Sequence, residues 1–158
     1  MNTGSLVFRL ATSSGDFEDG KILFKKYAAT LTFDLEFQGF AEELATIDNR
    51  YGDPDGALVL CYVDKQPAGC VAVKKLSEGI AELKRLFVDP GFRAAGIGAS
   101  LMHIALEQAK KLGYDLIRLD TVAEMQSAIK LYKRLGFYTI EAYCYNPLPT
   151  AVYMEKRF

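Results

Sequence analysis

A chain of 158 residues and 17.5 kDa is the length of one compact domain, and with half its residues hydrophobic and 12% aromatic it can bury a sizeable core. Lysine and arginine number 19 against 20 aspartate and glutamate, so a net charge of −1 leaves no bulk attraction toward nucleic acid or acidic membranes. No apolar run reaches a membrane span, Met1 to Ser5 lacks a secretory-signal layout, and Cys61, Cys70 and Cys144 show neither CxxC spacing nor histidine clustering, so the expectation is a reduced, cytoplasmic protein of one domain over residues 1–158 with no metal.

Leu6 to Leu10 is a short apolar run suited to a first strand. Ser13 then stands three residues before Asp16 in a capping-box pattern, and Phe17, Leu23, Phe24, Tyr27 and Leu31 recur at helical spacing behind it. Phe37, Phe40, Leu44 and Ile47 fit a second helix, ended by the Gly52-Asp53-Pro54-Asp55-Gly56 turn cluster. Strands are expected at Ala57 to Val63, Gly69 to Val73 and Ile80 to Val88, joined by turns at Asp64-Lys65 and Ser77-Glu78-Gly79.

The last of these strands changes parity. Its apolar positions are Ala81 and Leu83, then Leu86 and Val88, as one extra residue near Arg85 would produce. A strand buried on both faces at its far end gives the same pattern. Downstream, Ile97 to Leu112 reads as a helix with Leu101, Ala105, Ala109 and Leu112 on one stripe, His103, Glu107 and Lys110 on the other, and Gly113 as its C-cap. A strand at Leu116 to Leu119 follows, then a helix opened by Thr121 and Glu124, carrying Ala128, Leu131, Tyr132 and Leu135 inward and closed by Gly136. Strands at Tyr138 to Tyr143 and Ala151 to Lys156 flank the loop containing Tyr145-Asn146-Pro147-Leu148-Pro149. The fold class is α/β (α+β), a mixed central sheet of about seven strands flanked by about four helices.

Arg93-Ala94-Ala95-Gly96-Ile97-Gly98 sits between a strand and a long amphipathic helix. Glycines admit a ligand to the backbone, the first helical N–H groups have no intrahelical partner, and Arg93 adds a fork suited to phosphate. A dinucleotide fingerprint would want a glycine where Leu101 stands, although Asp120 could serve as its acidic partner. A Walker loop would want lysine, which Gly98-Ala99-Ser100 lacks. A pyrophosphate loop for coenzyme A and a plain strand-to-helix turn both remain compatible.

Leu86-Phe87-Val88, then Arg93-x-x-Gly96-x-Gly98 at a helix start, then Leu131-Tyr132-x-x-Leu135-Gly136-Phe137, together resemble the GNAT (Gcn5-related) N-acetyltransferases. The resemblance is strong from Glu82 to Phe137 and implies the acyl-CoA N-acyltransferase fold with acetyl-CoA as cosubstrate. It places the pantetheine arm along Leu86, Phe87 and Val88. It places the pyrophosphate on the amides of Arg93, Ala94, Ala95, Gly96, Ile97, Gly98 and Ala99, and it implies a bulged strand splayed from its parallel neighbour. The sequence departs from it at Ala94, where glycine is common, and at Met125, where an asparagine contact to the cofactor is common.

The resemblance makes Tyr132 the candidate general acid for the departing thiolate and Glu82, eleven residues before Arg93, the candidate base. From periodicity alone Tyr132 is a core aromatic and Glu82 a solvated or salt-bridged strand residue. Cys70 and Cys144 have no histidine placed to activate them and read as small core residues. His103 reads as exposed. Lys130, Lys133 and Arg134 are a solvated face or a contact for the cofactor's 3′-phosphate, and Tyr143, Tyr145 and the Pro147–Pro149 loop border the acceptor pocket. The function implied is acetyl transfer to a primary amine of a small molecule or protein by direct attack, a homodimer being compatible with the family. A noncatalytic acyl-CoA-binding regulatory domain is the alternative.

Overall fold

The computed structural model describes residues 5–92 and 96–158. Arg93, Ala94 and Ala95, with the roles expected of them, lie outside the described residues. Seven strands form one mixed sheet in the order β1-β2-β3-β4-β5-β7-β6. They are β1 (Leu6–Leu10), β2 (Ala57–Val63), β3 (Gln66–Ser77), β4 (Ile80–Val88), β5 (Leu116–Val122), β6 (Tyr138–Ile140) and β7 (Ala151–Arg157). Pairing is antiparallel except between β4 and β5.

Helices cover both faces, which is why β2 reads as an unbroken apolar run buried at every position. Val59 and Cys61 point into one core with Leu101, Met102, Ala105 and Ala109 of α4 (Ile97–Lys111). Leu58, Leu60 and Tyr62 point into the other with Phe17, Leu23 and Phe24 of α1 (Ser14–Thr30). The start of α1 is a closed capping box: Ser13 Oγ accepts from Asp16 N at 3.1 Å, and Asp16 Oδ2 accepts from Ser13 N at 3.2 Å. The β2–β3 turn places Asp64 and Lys65 at φ 49° and 69°, the two-residue hairpin geometry that matches strand twist.

Three expectations are corrected. The helix expected over Phe37 to Ile47 is instead a 3₁₀ turn at Leu35–Gln38, α2 at Phe40–Ala45 and α3 at Ile47–Arg50. Gly39, at φ 70°, separates the first two, and at the second break Thr46 Oγ1 bonds back to Glu42 O at 2.8 Å. The Thr121/Glu124 capping box does not form. Thr121 and Val122 stay in β5, paired with Val152 and Ala151, and α5 begins only at Gln126 and runs to Arg134. Glu124 instead accepts from Thr150 Oγ1 at 2.9 Å. Finally, β6 stops at Ile140 because the chain then turns to carry Tyr143 onto β4.

Candidate active site

The strand bulge is present. Between Cys70 and Ala72 of β3 lies one residue, whereas between their partners Phe87 and Lys84 lie two, and Arg85 takes φ 62°. The extra residue returns Leu86 and Val88 to the core face that Ala81 and Leu83 already occupy, while Phe87 enters the opposite core. The parity change in the sequence is therefore an inserted residue. The Cys70 thiol donates to the Arg85 carbonyl at 3.3 Å, so this cysteine supports the bulge, and burial pushes its thiol pKa far up.

A left-handed conformation at arginine costs about 1–2 kcal/mol and needs an anchor. Here the Arg85 guanidinium forks onto Glu43 of α2, which also accepts from Tyr51 Oη at 2.9 Å. Both ions are buried. Burial alone would raise the Glu43 pKa, but the Arg85 hydrogen bonds and charge outweigh it and hold the carboxyl below its usual range.

From Leu83 onward, through the bulge, β4 and β5 part. They pair only at Ile80–Leu116, Ala81–Ile117 and Glu82–Arg118, although β5 runs on to Val122. The V-shaped gap is a cavity walled by Leu83–Leu86 on one side and Leu119–Val122 on the other, and roofed by Phe37, Gln38 and Leu148. It adjoins a groove of about 680 Å³ between α5 and the start of α4, and Tyr27, Leu86, Met125 and Ala128 line both.

Of the residues expected to hold a cofactor, Leu86, Phe87, Val88, Gly96, Ile97, Gly98 and Ala99 all line this groove. Gly96 caps α4 at φ 84°, and α4 carries no acidic residue in its first turn and two lysines in its last. The unpaired first-turn N–H groups and the helix dipole suit an anion there. Among the described residues a side chain at Gly98 would meet Leu131 Cδ2 first, at 3.8 Å, an ordinary contact, so this glycine leaves the groove open rather than relieving a clash there. Met125, where the family resemblance implies an asparagine, lines the groove. Arg134 borders it too, beside a shallow depression formed with Lys130 and Lys133.

Tyr132 is buried, packs its ring 5.7 Å from Phe137 and lines the cavity. Burial pushes its phenol pKa well above the usual tyrosine value, with Tyr27 and Asp120 adding to the shift, so the proton stays on at neutral pH. It is both a core aromatic and a wall of the cleft.

Glu82 is only 4% exposed and does not line the cavity, although it neighbours Asp120, which does. Its carboxylate accepts from Tyr143 Oη at 2.7 Å, and Lys74 Nζ stands 3.6 Å away. Donor atoms of Glu82, Asp120 and Cys144 lie within 4.8 Å of one another. Burial, then the Glu82 charge, push the Tyr143 phenol far up, and burial pushes the Cys144 thiol up to about 11, which leaves it a thiol at neutral pH. The Tyr143 loop thus reaches the site, with Asn146 and Leu148 in the cavity wall and Tyr145 exposed outside.

Sequence reasoning considered Asp120 only as a dinucleotide partner, yet it lines the cavity and accepts from Asn146 Nδ2 at 3.0 Å. Its signal in the sequence is a carboxylate directly after the apolar run Leu116 to Leu119, which only Arg118 interrupts. His103 is exposed, as expected.

An anion-compatible groove at a helix start, meeting a second cleft where a bulged strand leaves its parallel neighbour, defines an acyltransferase-type architecture. A model of the acetyltransferase (GNAT) family matches residues 23–137, and the chain belongs to that family. An uncharacterized N-acetyltransferase of Schizosaccharomyces pombe is 38% identical over 142 residues, covering 89% of this chain and 87% of its own. Among solved structures, a GNAT acetyltransferase of Staphylococcus aureus superposes with TM-score 0.78 at 21% identity, over 97% of this chain and 99% of that one. The PaiA N-acetyltransferase of Thermoplasma acidophilum, in complex with coenzyme A, gives TM-score 0.72 at 20% identity, over 98% and 99%. Among the described residues no helix is long and apolar enough to cross a membrane.

Proposed function

We propose that the chain is an acetyl-CoA-dependent N-acetyltransferase that passes the acetyl group to a primary amine by direct attack in a ternary complex. The observation that carries this reading is the junction at Leu86, where the groove and the β4–β5 cavity share a wall. A thioester lying in the groove and an amine lying in the cavity would meet there.

The backbone of Leu86–Val88 would hold the pantetheine arm, and the amides of Gly96–Ala99 would hold the pyrophosphate. A backbone N–H of Leu86–Val88 would stabilise the oxyanion that develops on the acetyl carbonyl. Glu82, reached through water from its buried position, would take a proton from the incoming ammonium. The amine nitrogen then bonds to the acetyl carbon, the carbon–sulfur bond breaks, and the Tyr132 hydroxyl protonates the leaving thiolate. Resemblance to a coenzyme A complex supports the cosubstrate, and the N-acetyltransferase relatives support the reaction.

Calorimetry with acetyl-CoA and with NAD tests the groove, and release of free thiol across a panel of amines tests the transfer. Acetyl-CoA binding with little response to NAD is expected. Tight NAD binding without a coenzyme A response would overturn the reading.

A further inference from the structure

We propose that the acceptor is a zwitterion, an α-amino acid with an apolar or aromatic side chain, whose amino group docks at Asp120 and whose carboxylate docks at Lys84. The inference rests on the N-acetyltransferase reading above and narrows its substrate class.

Lys84 of β4 and Asp120 of β5 line opposite walls of the cavity. The neighbouring cations are already engaged: Arg85 with Glu43, Lys74 with Glu82, and Arg118 with Glu155. Lys84 differs. Its ammonium meets the uncharged Gln38 amide oxygen at 3.5 Å, and among the described residues it forms no ion pair. A partly buried ammonium held in this way is completed by an anion entering the cavity.

The opposite wall has the opposite character. Asp120 accepts only the Asn146 amide among the described hydrogen bonds, and the Glu82 carboxylate lies within 4.8 Å of it. Glu82 is already met by Lys74 and Tyr143, whereas Asp120 lines the cavity and forms no ion pair among the described residues, so it favours an ammonium. The β5 side of the cavity therefore attracts a cation at Asp120 and the β4 side an anion at Lys84. A polyamine would set a second ammonium against Lys84, and a lysine side chain or protein N-terminus would bring no adjacent carboxylate.

The remaining wall is apolar. Phe33, Phe37 and Leu148 line it, and Phe37 is held edge-on to Tyr145 at 6.5 Å between ring centroids. The enclosed space is about 70 Å³, so the charged head of the substrate occupies the cavity. Its apolar side chain packs against Phe33, Phe37 and Leu148 toward the opening, where a third charge would find no partner among the described residues. In the reaction the ammonium loses one proton toward Glu82, the carbon–nitrogen bond forms as the carbon–sulfur bond breaks, and the nitrogen sheds a second proton. Tyr132 supplies the thiol hydrogen and is reprotonated from solvent. The products are the N-acetyl amino acid, coenzyme A and one proton.

The test compares free phenylalanine, methionine and leucine with their carboxamides and with spermidine, by thiol release from acetyl-CoA with the full chain. Free amino acids are expected to exceed their amides in kcat/KM by about tenfold to a hundredfold, the loss of one charge-assisted hydrogen bond, and spermidine is expected to be poorest. In Lys84→Met the ratio of acid to amide should collapse toward about one, and in Lys84→Arg most of it should return. The amide comparison uses the unaltered protein, so it stands even if Lys84→Met fails to fold. Amides or spermidine used as well as the acids, or no amino acid turned over, would overturn the proposal. Acetyl-CoA binding by calorimetry separates that result from failure of the underlying reading, which would show as no binding at all.

Discussion

The Arg85 guanidinium lies against the Glu43 carboxylate, Nε to Oε2 at 3.0 Å, and joins the bulge of β4 to helix α2 across 42 residues of sequence. The bulge sets where the cleft opens, and α2 follows the segment that roofs it. One buried ion pair therefore fixes both the strand and its cover.

Breaking that pair from one side leaves the other charge buried without a counter-ion. Glu43→Leu and Arg85→Met should each cost about 3–5 kcal/mol, lowering Tm by roughly 6–20 °C for a chain of this size. The double variant Glu43→Leu/Arg85→Met should cost much less than the sum. Thermal melts of the three variants decide it, and strictly additive losses would show that the pair does not act as a unit.

Tyr132→Phe keeps the ring against Phe137 and deletes only the hydroxyl. Acetyl-CoA affinity and Tm should stay near wild type while the chemical step slows by about 10²–10⁴-fold. Single-turnover rates are the measurement, because slow product release can hide a chemical defect. A phenylalanine variant with the wild-type single-turnover rate would remove Tyr132 from the mechanism and leave it a packing residue.

Gly98→Asp introduces a side chain where the first contacts, Leu131 Cδ2 at 3.8 Å and Val88 Cγ2 at 3.9 Å, are ordinary ones. The variant should fold with Tm near wild type. Its negative charge at the start of α4 opposes a bound phosphate, so acetyl-CoA affinity should fall by tenfold or more. Isothermal titration reads this directly. Unchanged affinity in the folded variant would place the pyrophosphate elsewhere.

Asp16 supplies a pH dependence of stability. Hydrogen bonds from the Thr12 backbone outweigh a burial cost and, with those from Ser13 and Arg9, lower its pKa from 3.8 to about 2. A depressed carboxyl pKa gives stability that is fully present above the unfolded value. That stability is lost as pH falls through the folded one, here between about 4 and about 2. In Asp16→Asn the fall in Tm across this window should be smaller than in the wild type. An identical fall in both would assign the acid sensitivity to other groups.

How much of this was legible in the sequence varies with the range of the interaction. The parity change at Ala81, Leu83, Leu86 and Val88 is a local property visible within eight residues, but it fits a doubly buried strand as well as a bulge, and the family resemblance is needed to favour the bulge. The capping box at Ser13 was legible because it too is local. Thr121 and Glu124 showed a similar local pattern and did not behave alike, since pairing of Thr121 and Val122 with β7 outweighs the cap. The Arg85–Glu43 pair left no trace, because nothing local distinguishes Glu43 from its exposed neighbour Glu42. Tyr143 was expected only at the pocket border, and its bond to Glu82 depends on a loop whose path no periodicity encodes.

The short pairing of β4 with β5 has a consequence for solvent exchange. On its β5 side, the backbone of Leu83–Val88 has no ladder partner among the described residues, whereas its β3 side is paired. The sheet thus carries an internal edge. At the molecular surface such an edge would recruit another chain, but here Leu83–Leu86 wall the cavity covered by Phe37 and Gln38, and Leu86–Val88 line the groove beside α5. Amide protons along it should exchange faster than those of β2, which is laddered on both sides. The exchange map of the unliganded protein would then trace this edge residue by residue, and whatever docks there as a surrogate strand would erase it.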